Sequence, residues 1–145
     1  MAISDQSILE LINMPNIICM IISSLFIGSM YPLTQIYQHK SDKNDGVISI
    51  SYVLGYNGTF IFSGLLFALA TLLMTYYFWI TGGIQSIWMF ILFIIPMIVK
   101  MSKWFKKVRK DITHANFENT MAMNLTSSSS MNLYFLILAI FNLIN

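Results

Sequence analysis

Charge is what this chain has least of. Of its 145 residues only 10% are Asp, Glu, Lys or Arg, against 57% hydrophobic and a mean hydropathy of +0.70. A water-soluble domain carries about 25% charged residues, so there are too few here to cover a water-facing surface. That excludes a soluble globular domain and leaves a membrane protein. Cysteine is as scarce. The single Cys19 lies inside an apolar run, can form no internal disulfide and has no Cys or His at metal-site spacing beside it. It reads as a small buried hydrophobe. Basic residues are missing from the N-terminus, where Ser4, Asp5, Gln6 and Glu10 precede the first apolar run, so the basic start of a cleavable signal peptide is lacking. The net charge of +2 and pI near 8.7 do not argue for nucleic acid, because the basic residues adjoin apolar runs instead of forming a solvated face. The expected partners are membrane lipids, and no nucleic acid.

What is present is apolar length. At about 20 residues per crossing, the chain has room for four spans, which predicts an all-α, multi-pass transmembrane bundle forming one membrane domain over residues 1–145. The spans are expected at about 17–37, 59–80, 84–103 and 118–144. Pro32 should kink the first near its end. Gly55, Asn57 and Gly58 read as the turn that starts the second, and Thr81, Gly82 and Gly83 as the next hairpin. The third runs on into a basic amphipathic tail, KMSKWFKKVRKD, at 100–111. The last apolar run, 131–144, reaches membrane length only if its helix starts near Asn116. Ser127 to Ser130 would then bond carbonyls one turn back or allow close helix packing.

All eight basic residues lie in two segments: Lys40 and Lys43, then Lys100, Lys103, Lys106, Lys107, Arg109 and Lys110. In a four-span array these connections share a side, so the positive-inside rule makes the 38–50 loop and the 100–116 segment cytoplasmic and the 81–83 hairpin external. Tyr76, Tyr77, Trp79 and Trp88 then belong to the outer aromatic belt and Trp104 to the inner one. The N-terminus falls outside, an orientation that an odd number of preceding helices would explain. Tail lysines at threes and fours, with Trp104 and Phe105 between them, suit a helix end at an anionic leaflet.

The first cytoplasmic connection gathers Gln38, His39, Lys40, Asp42, Asp45 and Gly46. If the first helix continues through it, Gln38, Asp42 and Asp45 can share one face. Such a face can hold Mg²⁺ through one or two carboxylates, with water and phosphate oxygens completing the shell. His39, when protonated, can contact a diphosphate. The competing reading is a solvated loop whose charges need no further explanation. Asn116, Glu118, Asn119 and Asn124 lie before or inside the last span, where amides must find hydrogen-bond partners. Tyr31, Tyr37, Tyr52 and Phe60 flank the polar loop as cavity-lining candidates.

Two longer blocks add context. The stretch YPLTQIYQHKSDKNDGVISISYVLGYNGTFIF, 31–62, resembles the second polar motif of the UbiA superfamily of intramembrane prenyltransferases, usually Asp-x-x-x-Asp-x-x-x-Gly at a helix end. Here that frame reads Gln38, Asp42, Gly46. The stretch WFKKVRKDITHANFENTMAMNLTSSSSMNLYF, 104–135, is similar to the final helix and its approach in a bacterial branch of the family. The resemblance implies an all-helical enzyme, usually of nine membrane helices around a cavity, that transfers a prenyl group from an allylic diphosphate to an aromatic or other lipophilic acceptor. Two acidic motifs bind Mg²⁺ and the diphosphate, and aromatic rings stabilise the allylic cation formed on ionisation. Carried over, Asp42 is the expected Mg²⁺ contact, and Gln38, His39, Lys40, Asp42 and Asp45 the expected diphosphate-binding set. Placement in a bacterial inner membrane follows from the same resemblance.

The chain departs from that pattern at two places. Gln38 replaces the first Asp and brings no charge, while Lys40 and Ser41 stand where the related branch has acidic residues, so the local field favours phosphate over Mg²⁺. The first, Asn/Asp-rich motif has no counterpart in the 145 residues. The expectation is therefore the C-terminal four helices of the enzyme, inactive alone: a fragment, a split-gene half that a separate N-terminal half would complete, or a decayed relic. The alternative is a non-enzymatic four-helix membrane protein serving as an interaction or structural subunit.

Overall fold

A computed structural model describes residues 12–144; Ser4, Asp5, Gln6 and Glu10 lie outside the described residues. Helix α1 spans Met14–Gln35. The side chain of Asn13 caps it by accepting from the Asn16 N–H at 2.9 Å, and Pro15 in the first turn has no N–H to leave unsatisfied. Pro32 lies inside the helix, which ends three residues later and tightens into a 3₁₀ turn, Ile36–Gln38. Helix α2, His39–Asp45, continues the path until Gly46 adopts a left-handed conformation (φ 66°, ψ 20°). The Val47 N–H then donates to the Asp42 carbonyl at 2.9 Å, closing the helix end. The glycine of the polar frame thus ends a helix.

Helix α3, Ile50–Ile80, starts earlier than expected. Ser49 caps it, accepting from the Tyr52 N–H at 3.2 Å. Of the three residues read as a turn, Asn57 and Gly58 are helical, and only Gly55 breaks the path (φ 65°, ψ 176°). The connection is therefore Val47 to Ser49, and the glycine marks a kink one turn into the helix. After Thr81–Gly83, with Gly82 at φ 77°, α4 runs unbroken over Ile84–Lys110, joining the third apolar run to its basic tail. Helix α5 is Phe117–Ile144.

Each helix buries one narrow stripe. In α4 it is Phe90, Ile94, Met97, Trp104 and Val108; in α5 it is Thr120, Met123, Ser127, Ser130 and Tyr134. Alternating steps of three and four put these residues on one face. Helix α1 packs chiefly on α3 and α4 on α5, and the pairs join through α3 with α4 and α1 with α5. An aromatic chain links the four long helices, α1, α3, α4 and α5: Phe26 meets Phe67 at 5.6 Å and Phe90 at 6.1 Å between ring centroids, and Phe90 meets Tyr134 at 5.3 Å. Ser127 and Ser130 are buried, and the Ser127 hydroxyl donates to the Met123 carbonyl at 3.0 Å, so one side chain both bonds a turn back and permits close packing.

The outer faces are as apolar as the core. Ile61, Leu65, Leu69 and Leu72 form an exposed row on α3. Among the described residues three helical stretches are long and apolar enough to cross a membrane, Met14–Asp45, Ile50–Ile80 and Gln85–Lys110, and only 17 to 33% of each spanning window is buried. Water would not tolerate that exposure at this scale. The protein is an all-α membrane bundle. Because α1 with α2, α3 and α4 run antiparallel in turn, both basic segments lie at one end of it and the 81–83 hairpin at the other. Trp79 and Trp88 are exposed at the hairpin end. Trp104 differs from expectation. It is buried, packs edge-on against Phe60 at 4.9 Å and donates its Nε1–H to the His114 carbonyl at 2.8 Å, so it holds the α4–α5 connection instead of standing in a lipid belt.

Candidate functional site

The basic end of the bundle holds the polar residues that chemistry would need. Asp42, 9% exposed, accepts a hydrogen bond on Oδ2 from the Ser49 hydroxyl at 2.6 Å. Ser49 also caps α3, so one side chain ties the carboxylate of α2 to the start of the next helix. His39 lies one turn earlier, also buried. Its Nε2 is 2.7 Å from the Ser51 hydroxyl, which is 3.1 Å from the Thr59 hydroxyl. Thr59 in turn donates to the Gly55 carbonyl one turn back at 2.7 Å. Tyr56 and Tyr52 wall the imidazole, with ring centroids at 4.4 and 6.0 Å.

The remaining candidates go elsewhere. Gln38 donates through Nε2 to the Tyr37 hydroxyl at 3.0 Å, and Asp45, exposed, accepts from Ser41 at 3.0 Å. Lys40 is exposed. Gln38, Asp42 and Asp45 are therefore engaged by three different neighbours. Among the described residues no group of three or more His, Cys, Asp or Glu is gathered to hold a metal ion. A cage built from protein ligands alone does not fit. A lesser role does fit Asp42: its second oxygen keeps acceptor capacity, enough for an ion that takes its other oxygens from water and phosphate.

A groove of about 350 Å³ opens on the α1–α5 side, lined by Phe26, Met30, Tyr31, Thr34, Asn124 and Ser128 among others. Of the four aromatic residues flanking the polar loop, only Tyr31 lines it. Phe60 is core, between Trp104 and Phe105, Tyr52 packs on His39, and Tyr37 meets Phe117 edge-on at 5.3 Å. Asn116 and Asn119 serve the entry to α5: Asn116 Oδ1 accepts from the Asn119 N–H at 3.0 Å, and Asn119 Nδ2 donates to the His114 carbonyl at 3.1 Å. Asp111 organises the same connection by accepting from the Thr113 N–H at 2.9 Å, a bond that holds its carboxyl below the usual carboxylate range. Cys19 is a half-buried free thiol.

The sequence reading missed Ser49, Ser51 and Thr59. Ser49 had a local signal, a serine three residues before the Tyr52 amide that it caps. Ser51 and Thr59 had none, because Ser51 meets His39 twelve residues back and Thr59 meets Ser51 across eight residues that a regular helix would hold apart. Compared with family models, with curated proteins and with solved structures, the chain matches none.

Proposed function

We propose that this chain is the C-terminal part of a UbiA-type membrane prenyltransferase, which transfers a prenyl group from an allylic diphosphate to an aromatic or other lipophilic acceptor. The observation that carries this reading is that the Gln38, Asp42, Gly46 frame closes a membrane-length helical path at the same end of the bundle as the basic α4 tail. A carboxylate with Lys40 beside it at the membrane surface suits a charged headgroup, and the groove on the α1–α5 side, with its apolar walls, suits a lipophilic chain. In this reading α5 is the fourth crossing. The two basic segments are cytoplasmic, in a bacterial inner membrane.

Asp42 would give one carboxylate to a Mg²⁺ that takes its other oxygens from diphosphate and water. Gln38, His39, Lys40 and Asp45 would contact the diphosphate, His39 and Asp45 only after leaving their present hydrogen bonds. The first, Asn/Asp-rich motif would come from a further set of helices, the N-terminal half, and without it this chain performs no transfer. The rival is a non-enzymatic four-helix membrane subunit. It is favoured by one observation: Ser49 and Ser51 already engage Asp42 and His39, so both can be explained as a latch joining α2 to α3.

Asp42→Asn separates the two, because the amide keeps an oxygen for Ser49 and replaces the second oxygen and the negative charge with an uncharged NH₂ group. In membranes containing the chain and its co-purifying partners, Mg²⁺-dependent binding of farnesyl diphosphate should fall about ten-fold or more, the equivalent of one lost charge-assisted contact. Thermal unfolding should not move. Wild-type membranes that bind no diphosphate, or a variant that binds as well as wild type, decide for the non-enzymatic subunit.

A further inference from the structure

The tail of α4 is more than a diffuse positive surface. A second cavity, about 280 Å³, lies between α4 and the start of α5 and is lined by Pro96, Val99, Lys100, Lys103, Trp104, Lys107 and Asn119. Three of those seven residues are lysines and none is acidic. Their spacing, 100, 103 and 107, puts them on one helix face. Among the described residues no carboxylate is paired with them in a salt bridge, whereas Arg109 is used otherwise, its guanidinium 5.8 Å from the Phe105 ring centroid. Three ammonium groups around one hollow repel each other until an anion sits between them.

The cavity has a direction. Its apolar end is formed by Pro96 and Val99, both exposed where the apolar stretch of α4 ends, and the half-buried Lys100 follows. From Lys100 to Lys107 the helix rises about 10 Å, comparable to the headgroup layer of about 5 to 8 Å on each side of a bilayer. Trp104 gives the wall its ring, because its N–H is committed to His114. The Asn119 amide, held by His114 and Asn116, closes the α5 side. A soluble phosphate would use the lysines and leave the apolar floor empty. A lipid would use both.

We propose that this cavity is a binding site for the phosphate headgroup of an anionic phospholipid, held by Lys100, Lys103 and Lys107 with its glycerol and upper acyl chain against Pro96, Val99 and Trp104. The site is separate from the Asp42 region and does not rest on the transferase reading.

The test is native mass spectrometry of the full chain released from bilayers of mixed phosphatidylglycerol and phosphatidylcholine. The wild type should retain phosphatidylglycerol selectively. The variant K100Q/K103Q/K107Q should retain about a hundred-fold less, given three lost lysine contacts of about five-fold each. The variant K106Q/R109Q/K110Q removes the same charge from outside the cavity and should retain within about two-fold of wild type. Equal losses in the two triples would overturn the site, since retention would then come from net charge alone. Displacement of the lipid by millimolar inorganic diphosphate would overturn the lipid assignment in favour of a soluble diphosphate. Should the first triple fail to fold, Lys103→Gln alone, expected to lose about five-fold, carries the same decision.

Discussion

The Nε2 of His39 lies 2.7 Å from the hydroxyl oxygen of Ser51, and this contact joins the short helix α2 to the first turn of α3. Both residues are buried, and Ser51 passes the network on to Thr59. A buried polar group whose partner is removed keeps its desolvation cost without the compensating bond. Ser51→Ala should therefore destabilise the protein by about 1 to 3 kcal/mol, read as a lowered unfolding temperature in detergent. Ser41→Ala, which removes an exposed hydroxyl bonded to Asp45, should cost less than about 0.5 kcal/mol. Equal effects would mean that the buried link does not hold α2 in place.

Gly55 sets the geometry that brings Ser51 and Thr59 together. Its φ of 65° and ψ of 176° fall in a region open almost only to glycine, and a side chain forced there costs about 1 to 3 kcal/mol. A methyl group at this position would meet no atom within 4 Å, so the cost of Gly55→Ala is backbone strain and not a clash. Gly64→Ala is the control. There the added carbon meets the Met101 methyl at an ordinary 3.6 Å, and alanine is favoured over glycine inside a helix by about 1 kcal/mol. Gly55→Ala should lower the unfolding temperature and speed amide exchange at residues 51–55, whereas Gly64→Ala should leave both unchanged or improve the first. A stable Gly55→Ala protein with unaltered exchange would show that the kink is dispensable.

These two sites also mark where the sequence could be read and where it could not. The unbroken α4, the hairpin at Gly82 and the back-bond of Ser127 all follow from patterns within a few residues, and the sequence displays them. Gly55, Asn57 and Gly58 mislead because glycine and asparagine mark turns by composition, while the cap that starts α3 is the less conspicuous Ser49. Trp104 misleads because tryptophan beside lysines suits a membrane interface. Its inward direction depends on the stripe it shares with Met97 and Val108, and on a carbonyl ten residues later. The polar cluster at 38–46 was legible as a cluster but not as a set of separate bonds. The hydroxyls that His39 and Asp42 meet are set by the kink at Gly55 and the cap at Ser49, and neither lies within the motif.

The path of the chain through the bilayer can be tested with single cysteines on a Cys19→Ser background. Ser41 and Lys106 lie at the basic end of the bundle, Thr81 at the hairpin end, and the strongly exposed Leu143 near the end of α5. With both basic segments cytoplasmic, Ser41→Cys and Lys106→Cys should react with an impermeant maleimide only after the cells are opened, and Thr81→Cys should react in intact cells. If α5 completes a fourth crossing, Leu143→Cys falls with Thr81→Cys, because a helix of 28 residues is about 42 Å long and spans a hydrocarbon core of about 30 Å. If Leu143→Cys instead behaves like Lys106→Cys, α5 returns to the side on which it began, and its polar first half lies along the membrane surface. Reaction of Ser41→Cys and Lys106→Cys from opposite sides would break the hairpin array itself, since α3 and α4 then could not both cross.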